Sequence, residues 1–185
     1  MEAGFGIPSI AIDPPENALD LTAMIALHRY WRARCGDDGA PPRASTIDLA
    51  ELREVSDHIG HLRAEGTGYD YVYAAYVPAV ARHVGRDWTG WSIGAIALQI
   101  ANAHGVLYRA LQAACAHARK PVASRHDAPG WVGATSWRRL TVPFVDPTGA
   151  VSEFLVATVP IAFRQRTAEE EAEFRRRVDP RPPED

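Results

Sequence analysis

The sequence predicts an α+β fold: an antiparallel sheet with helices grouped on one face and an entry helix on the other. Three observations carry this. Residues 69–76 read Tyr-Asp-Tyr-Val-Tyr-Ala-Ala-Tyr, and Tyr69, Tyr71 and Tyr73 alternate onto one face as a strand requires. Residues 100–120 place Ile100, His104, Leu107, Leu111, Ala114 and Ala118 on one helical face. Residues 151–161 are apolar on both alternating faces, Phe154 and Val156 on one and Leu155, Ala157, Val159 and Ile161 on the other. A strand of that kind is covered on both sides.

The elements follow in order. Residues 1–19 are rich in Gly and Pro and read as a flexible arm. Residues 20–36 form the entry helix, with Leu21, Met24, Ile25, His28, Trp31 and Cys35 as its apolar stripe. Asp20 can cap its start, and Gly36 ends it. A loop rich in Gly, Asp and Pro leads into the body of the domain, residues 37–163. The strand His-Ile-Gly-His-Leu-Arg-Ala-Glu (58–65) and the tyrosine strand form a hairpin across Gly66-Thr67-Gly68. Residues 77–85 make a short helical turn closed by Gly85. Arg119 and Lys120 suit the C-terminus of the long helix, and Pro121 stops it. Val-Ala-Ser-Arg-His-Asp-Ala (122–128) is a third strand. Residues 135–144 and 151–161 are two more, joined by the Val-Asp-Pro-Thr-Gly turn. The count is five. Residues 164–185 read as a short helix, opened by a Thr167/Glu170 capping box, and a disordered end.

Composition narrows the function. A chain of 185 residues, 46% hydrophobic, buries a core of one domain. A net charge of -3 argues against a broad basic surface and against nucleic acid as a partner. Lys120 is the one lysine; every other side-chain ammonium or guanidinium is an arginine. Two cysteines, Cys35 and Cys115, make no disulfide framework and suit a reduced, cytoplasmic setting. No apolar run reaches the roughly 18 residues of a membrane span, and the N-terminus lacks the basic region of a secretory leader. No Gly-x-Ser-x-Gly elbow is present, and neither cysteine has a protease context, so no catalytic residue and no enzyme activity are expected. His58 and His61, or Cys115 and His117, have no metal-binding spacing, and no metal is expected.

Four motifs in order resemble the PAS superfamily, and within it a family of small stand-alone bacterial PAS proteins common in alphaproteobacteria. Leu-His-Arg-Tyr-Trp-Arg-Ala-Arg-Cys-Gly (27–36) resembles that family's Leu-x-x-Tyr-Trp helix. Gly-Arg-Asp-Trp-Thr-Gly-Trp-Ser-Ile (85–93) resembles its Gly-Arg-Asp-x-Thr-Gly turn. Lys-Pro-Val-Ala-Ser-Arg (120–125) resembles its link from long helix to sheet, and residues 138–156 its closing strand pair. The resemblance spans roughly residues 20–163. Val-Tyr-Ala-Ala-Tyr (72–76) departs from the family, which carries Arg and Gly in that strand.

The resemblance implies a PAS-like five-stranded sheet and a sensory or regulatory module that signals through a protein partner. It also implies a homodimer formed through the flanking helix, for which Leu21, Met24, Ile25, His28 and Trp31 are the candidate contacts. The same stripe fits equally well on its own sheet. No cofactor is predicted; haem held by His104 or His117 is the one option, since some PAS sensors hold haem through a histidine there. The Asn-Cys-Arg-Phe signature of photosensory flavin proteins is absent.

A small-molecule cavity between sheet and long helix is the remaining site. Tyr73, Tyr76, Tyr108 and Trp137 each offer a large face and one polar tip. Trp91, His104, Leu111, Leu140 and Phe154 complete the candidate wall. Arg138 and Arg139 lie on opposite sides of one strand, so at most one faces inward, where it favours a carboxylate or phosphate. A filled core, with the chain acting as a ligand-free homodimeric scaffold, is the alternative. A small α+β cone enzyme is a third reading and requires an inward carboxylate.

Overall fold

A computed structural model of the chain describes residues 6, 8–65, 70–100 and 102–178. Residues 1–5 and 7 of the arm, Tyr69, the Gly66–Gly68 link, the side chain of Ile100, and the end at 179–185 lie outside what it describes.

One antiparallel sheet organises the molecule. Its strands are β1 (Ser9–Ile12), β2 (Ile59–Ala64), β3 (Tyr71–Ala75), β4 (Val122–Asp127), β5 (Ala134–Val145) and β6 (Val151–Phe163), in the order β1-β4-β5-β6-β2-β3. Helices α1 (Thr22–Arg32), α2 (Pro78–Val84), α3 (Ile93–Ile100), α4 (Asn102–Ala118) and α5 (Ala168–Val178) surround it. The architecture is α+β, in the expected succession of helix, two strands, short helices, long helix and three strands.

The sheet has six strands where five were expected. The extra one comes from the arm: Ser9–Ile12 pairs with β4, from Ser9 opposite Arg125 to Ile12 opposite Val122. All four of its residues are exposed, so no alternation betrays them in the sequence. The Asp13 N–H then donates to the Pro121 carbonyl at 2.7 Å, and Asp13 turns the chain at φ 51°.

The two central strands divide the core. On one face Leu140, Val142 and Phe144 of β5 join Leu155 and Ala157 of β6 beneath α1, which contributes Ala23, Met24, Leu27, Tyr30 and Trp31. On the other, Trp137, Phe154, Val156, Leu62, Tyr71 and Tyr73 meet Val80, Val84, Ile93, Ile96, Leu107 and Leu111 from α2, α3 and α4. Phe154, Leu155 and Val156 are fully buried, each stabilising the fold by about 1.5–3 kcal/mol. β6 is therefore covered on both sides, as its doubly apolar pattern requires.

Three local expectations differ. Asp20 does not cap α1, whose first turn starts at Thr22 after Leu21 without a side-chain cap; Asp20 pairs with Arg138 at 3.1 Å instead. The loop after α1 contains a 3-10 segment, Leu49–His58, started by the Asp48 carboxylate accepting from the Ala50 N–H at 3.0 Å. Leu52 anchors that segment in the α1 core. The helix read from residue 100 is preceded by a separate helix, α3. The capping box does form at α5: Glu170 N–H donates to Thr167 Oγ1 at 3.2 Å, and Thr167 N–H donates to Glu170 Oε2 at 2.9 Å.

Candidate ligand site

A cavity lies where the tyrosine strand faces the short helices. Tyr73 on β3, Tyr76 just beyond it, Tyr108 on α4 and Trp137 on β5 form its aromatic side. Val80 and Val84 of α2, Ile93 and Ile96 of α3, and Pro129 form the apolar side. The space open to water is about 30 Å³, room for about two molecules. Tyr73 and Tyr76 meet edge to face, with centroids 4.8 Å apart.

The Gly-Arg-Asp-Trp-Thr-Gly-Trp turn fixes this wall. Gly85 takes the left-handed conformation at φ 73° and closes α2, its N–H donating to the Ala81 carbonyl at 2.7 Å. The Asp87 carboxylate accepts from the backbone N–H and the hydroxyl of Thr89, whose Oγ1 accepts from the Tyr76 N–H at 3.0 Å. Gly90, at φ 84°, donates its N–H to the Tyr73 carbonyl at 2.8 Å, and the Tyr73 N–H donates to the Trp91 carbonyl at 3.1 Å. Both backbone groups of Tyr73 are thus tied to the turn. Trp88 is buried core and meets Trp91 edge to face at 5.3 Å, while the Arg86 guanidinium lies 4.7 Å from both rings. The two tryptophans hold the turn; neither lines the cavity.

Behind the tyrosines lies a buried polar cluster. Arg139 is 3% exposed. Its Nη2 donates to the Tyr73 hydroxyl at 3.3 Å, and the guanidinium lies 4.9 Å from the Tyr108 ring. With its amide turned to satisfy both neighbours, Gln112 accepts from Arg139 Nη2 at 3.1 Å and donates to the Tyr108 carbonyl. The Tyr108 hydroxyl meets His126 Nε2 at 3.3 Å, and the His104 Nε2–H donates to the Asp127 carbonyl at 2.9 Å.

Burial keeps the rest of the cluster neutral. It pulls His126 down to about 3, helped by the charge of Arg139 and by His104. It lowers His104 and raises Tyr76 and Tyr108. Among the described residues no carboxylate pairs with Arg139. Desolvating an ion costs several kcal/mol, and buried charges are ordinarily matched by an opposite one.

The sequence-derived candidates divide into groups. Tyr73, Tyr76, Tyr108 and Trp137 converge on the cavity. Phe154 and Leu111 sit deeper in the same core, Phe154 edge to face with Tyr71 at 4.8 Å, and Trp91 packs at its margin. His104 stands in the first turn of α4, beside Tyr108 and His126. Leu140 belongs to the opposite face, under α1. It lies three positions beyond Trp137, an odd offset, so strand alternation sends the two to different sides. Val80, Val84, Ile93, Ile96 and Pro129 were not among the sequence candidates. Val80 and Val84 are spaced as one helical face, and His126 follows Val122 and Ser124 in alternation; those were the available signals.

The entry-helix stripe is spent within its own chain. Trp31 and Met24 are buried on the sheet, His28 is buried beside them, and Leu21 and Ile25 pack at the edge of the same cluster. Trp31 is fully buried within its own chain. Of the two histidines considered for haem, His104 donates to a backbone carbonyl and does not line the cavity, and His117 is exposed. His58 meets the Thr158 carbonyl and His61 pairs with Glu153; no cluster able to hold a metal ion occurs among the described residues. Both cysteines are free, and no described helix is long and apolar enough to cross a membrane.

No protein-family model matches the chain, and no curated protein matches it. Among solved structures, an RNA-binding Light-Oxygen-Voltage receptor is similar with a TM-score of 0.42 and 17% identity, over 76% of this chain and 39% of that one. The chain spans well under half of that receptor's length. A likeness this distant assigns neither family nor function.

Proposed function

We propose that the chain is a cytoplasmic sensory or regulatory module of PAS-like build. It takes a small molecule into the cavity between the sheet and helices α2 to α4, and passes the change to a protein partner. The succession of elements supports the build. The observation that carries the ligand reading is the convergence of Tyr73, Tyr76, Tyr108 and Trp137 on one void, opposite aliphatic walls. Pockets of this kind pair an apolar lining with a few placed polar tips. No carboxylate lines the void, which favours binding over acid–base chemistry. Two short helices, α2 and α3, form the outer wall, and their outward shift makes room for a guest larger than water.

A thermal-shift series against a library of small metabolites, neutral and charged, tests this. A ligand raises the melting temperature progressively above its dissociation constant, and Tyr76→Ala weakens the response. No shift with any compound rejects the proposal. The small volume of the void favours a second reading, a ligand-free interaction scaffold. A stable homodimer in sedimentation, unchanged by every compound, is the result that selects it.

A further inference from the structure

We infer that the site takes a carboxylate monoanion with a small apolar body, bound by the Tyr73 hydroxyl with Arg139 behind it. This rests on the cavity being a ligand site and adds the charge and shape of the guest.

The charge follows from the cluster. Arg139 stands on the helix-facing side of β5, buried, with neutral partners: Tyr73, Gln112 and the Tyr108 ring. Its Nε has no acceptor among the described residues. The nearby imidazoles and phenols are held neutral by burial. Among the described residues, the fold keeps one guanidinium in its core with nothing of opposite sign beside it. Its planar N–H fork suits a carboxylate.

The route follows from the hydrogen bond. The Tyr73 oxygen accepts from Arg139 at 3.3 Å, so its own O–H proton is available to another acceptor. Tyr73 also lines the cavity. A carboxylate in the cavity accepts that proton while the cation behind strengthens the donor. One guanidinium balances one negative charge, whereas a phosphate dianion leaves an excess. The opposite walls, Val80, Val84, Ile93 and Ile96, offer no charge and suit an apolar body.

Two matched pairs of probes test the inference: sodium acetate against acetamide, and sodium benzoate against benzamide. Chloride holds the ionic strength constant. The readouts are melting temperature and tryptophan fluorescence, since Trp137 lines the cavity. The acids raise the melting temperature and perturb the fluorescence; the amides do not. Tyr73→Phe weakens acid binding about tenfold or more, and Arg139→Met abolishes it. Should Arg139→Met fail to fold, Tyr73→Phe alone carries the comparison, because it keeps ring and cation. Equal response to acid and amide, no response to either acid, or an undiminished acid response in Tyr73→Phe overturns the inference. Stabilisation by neutral library compounds alone overturns the charge and leaves the cavity standing; silence from every compound removes both.

Discussion

The indole N–H of Trp31 donates to the Pro143 carbonyl at 2.6 Å, across the interface between α1 and β5. The ring is fully buried, so this bond joins packing to a specific register of helix on sheet. Trp31→Phe leaves the carbonyl without its donor and opens space beside it. The expected loss is about 2–4 kcal/mol, read from urea unfolding. A loss below about 0.5 kcal/mol, the range of surface substitutions, means that α1 is not seated there.

Stability falls with acid in a window set by histidines. His126 is held at about 3, against 6.5 for a free imidazole. The unfolded chain therefore binds a proton that the folded chain refuses. This contribution is complete above about pH 6.5 and is lost as the pH falls toward 3. By pH 4.5 His126 alone accounts for roughly 2–3 kcal/mol. His28, His83 and His104, lowered first by burial, act in the same direction. The shifted carboxylates, Glu16 and Asp57 among them, start from 4.5 and 3.8 and fall lower, so they act mainly below pH 4.5, at the acid end of this window. Denaturant midpoints at pH 7.5, 5.5 and 4.5 measure the slope, and His126→Asn flattens it. An unchanged slope in the variant rejects the assignment.

Leu111 sits in the middle of α4, 1% exposed, on the sheet-facing side. Leu111→Ala costs about 2–5 kcal/mol. A change under about 0.5 kcal/mol contradicts the buried face assigned to the helix.

Gly90 isolates the backbone's part in the turn. At φ 84° nothing lies within 4 Å of an added methyl group, so Gly90→Ala meets strain and no clash. The expected cost is about 1–2 kcal/mol. The Trp88–Trp91 contact persists, which an unchanged near-ultraviolet tryptophan dichroism reports. A neutral substitution means that the turn adopts an ordinary conformation.

The sequence revealed elements whose side chains obey a period or a capping rule. Tyr71 and Tyr73 share a buried face, Gly85 closes α2, and Thr167 with Glu170 opens α5 as their spacing requires. β1 escaped because all its side chains are exposed and its pairing depends on the open edge of β4. Alternation separates Arg138 from Arg139, but which one faces the helices is decided by the whole sheet. Leu140 was misplaced beside Trp137 although an odd spacing divides them. Tyr76 escapes the same rule: it lies beyond the end of β3, where the turn bends the chain back. The absence of a counter-charge for Arg139 depends on three-dimensional neighbours, which no spacing reports.

Arg138 and Arg139 are consecutive, yet Arg138 holds Asp20 at the threshold of α1, and Arg139 holds Tyr73 on the far side of the sheet. One peptide unit of β5 therefore joins side chains that reach to the two opposite faces of the sheet. A guest at Tyr73, as proposed, acts on the same strand segment that pairs with Asp20 before the entry helix.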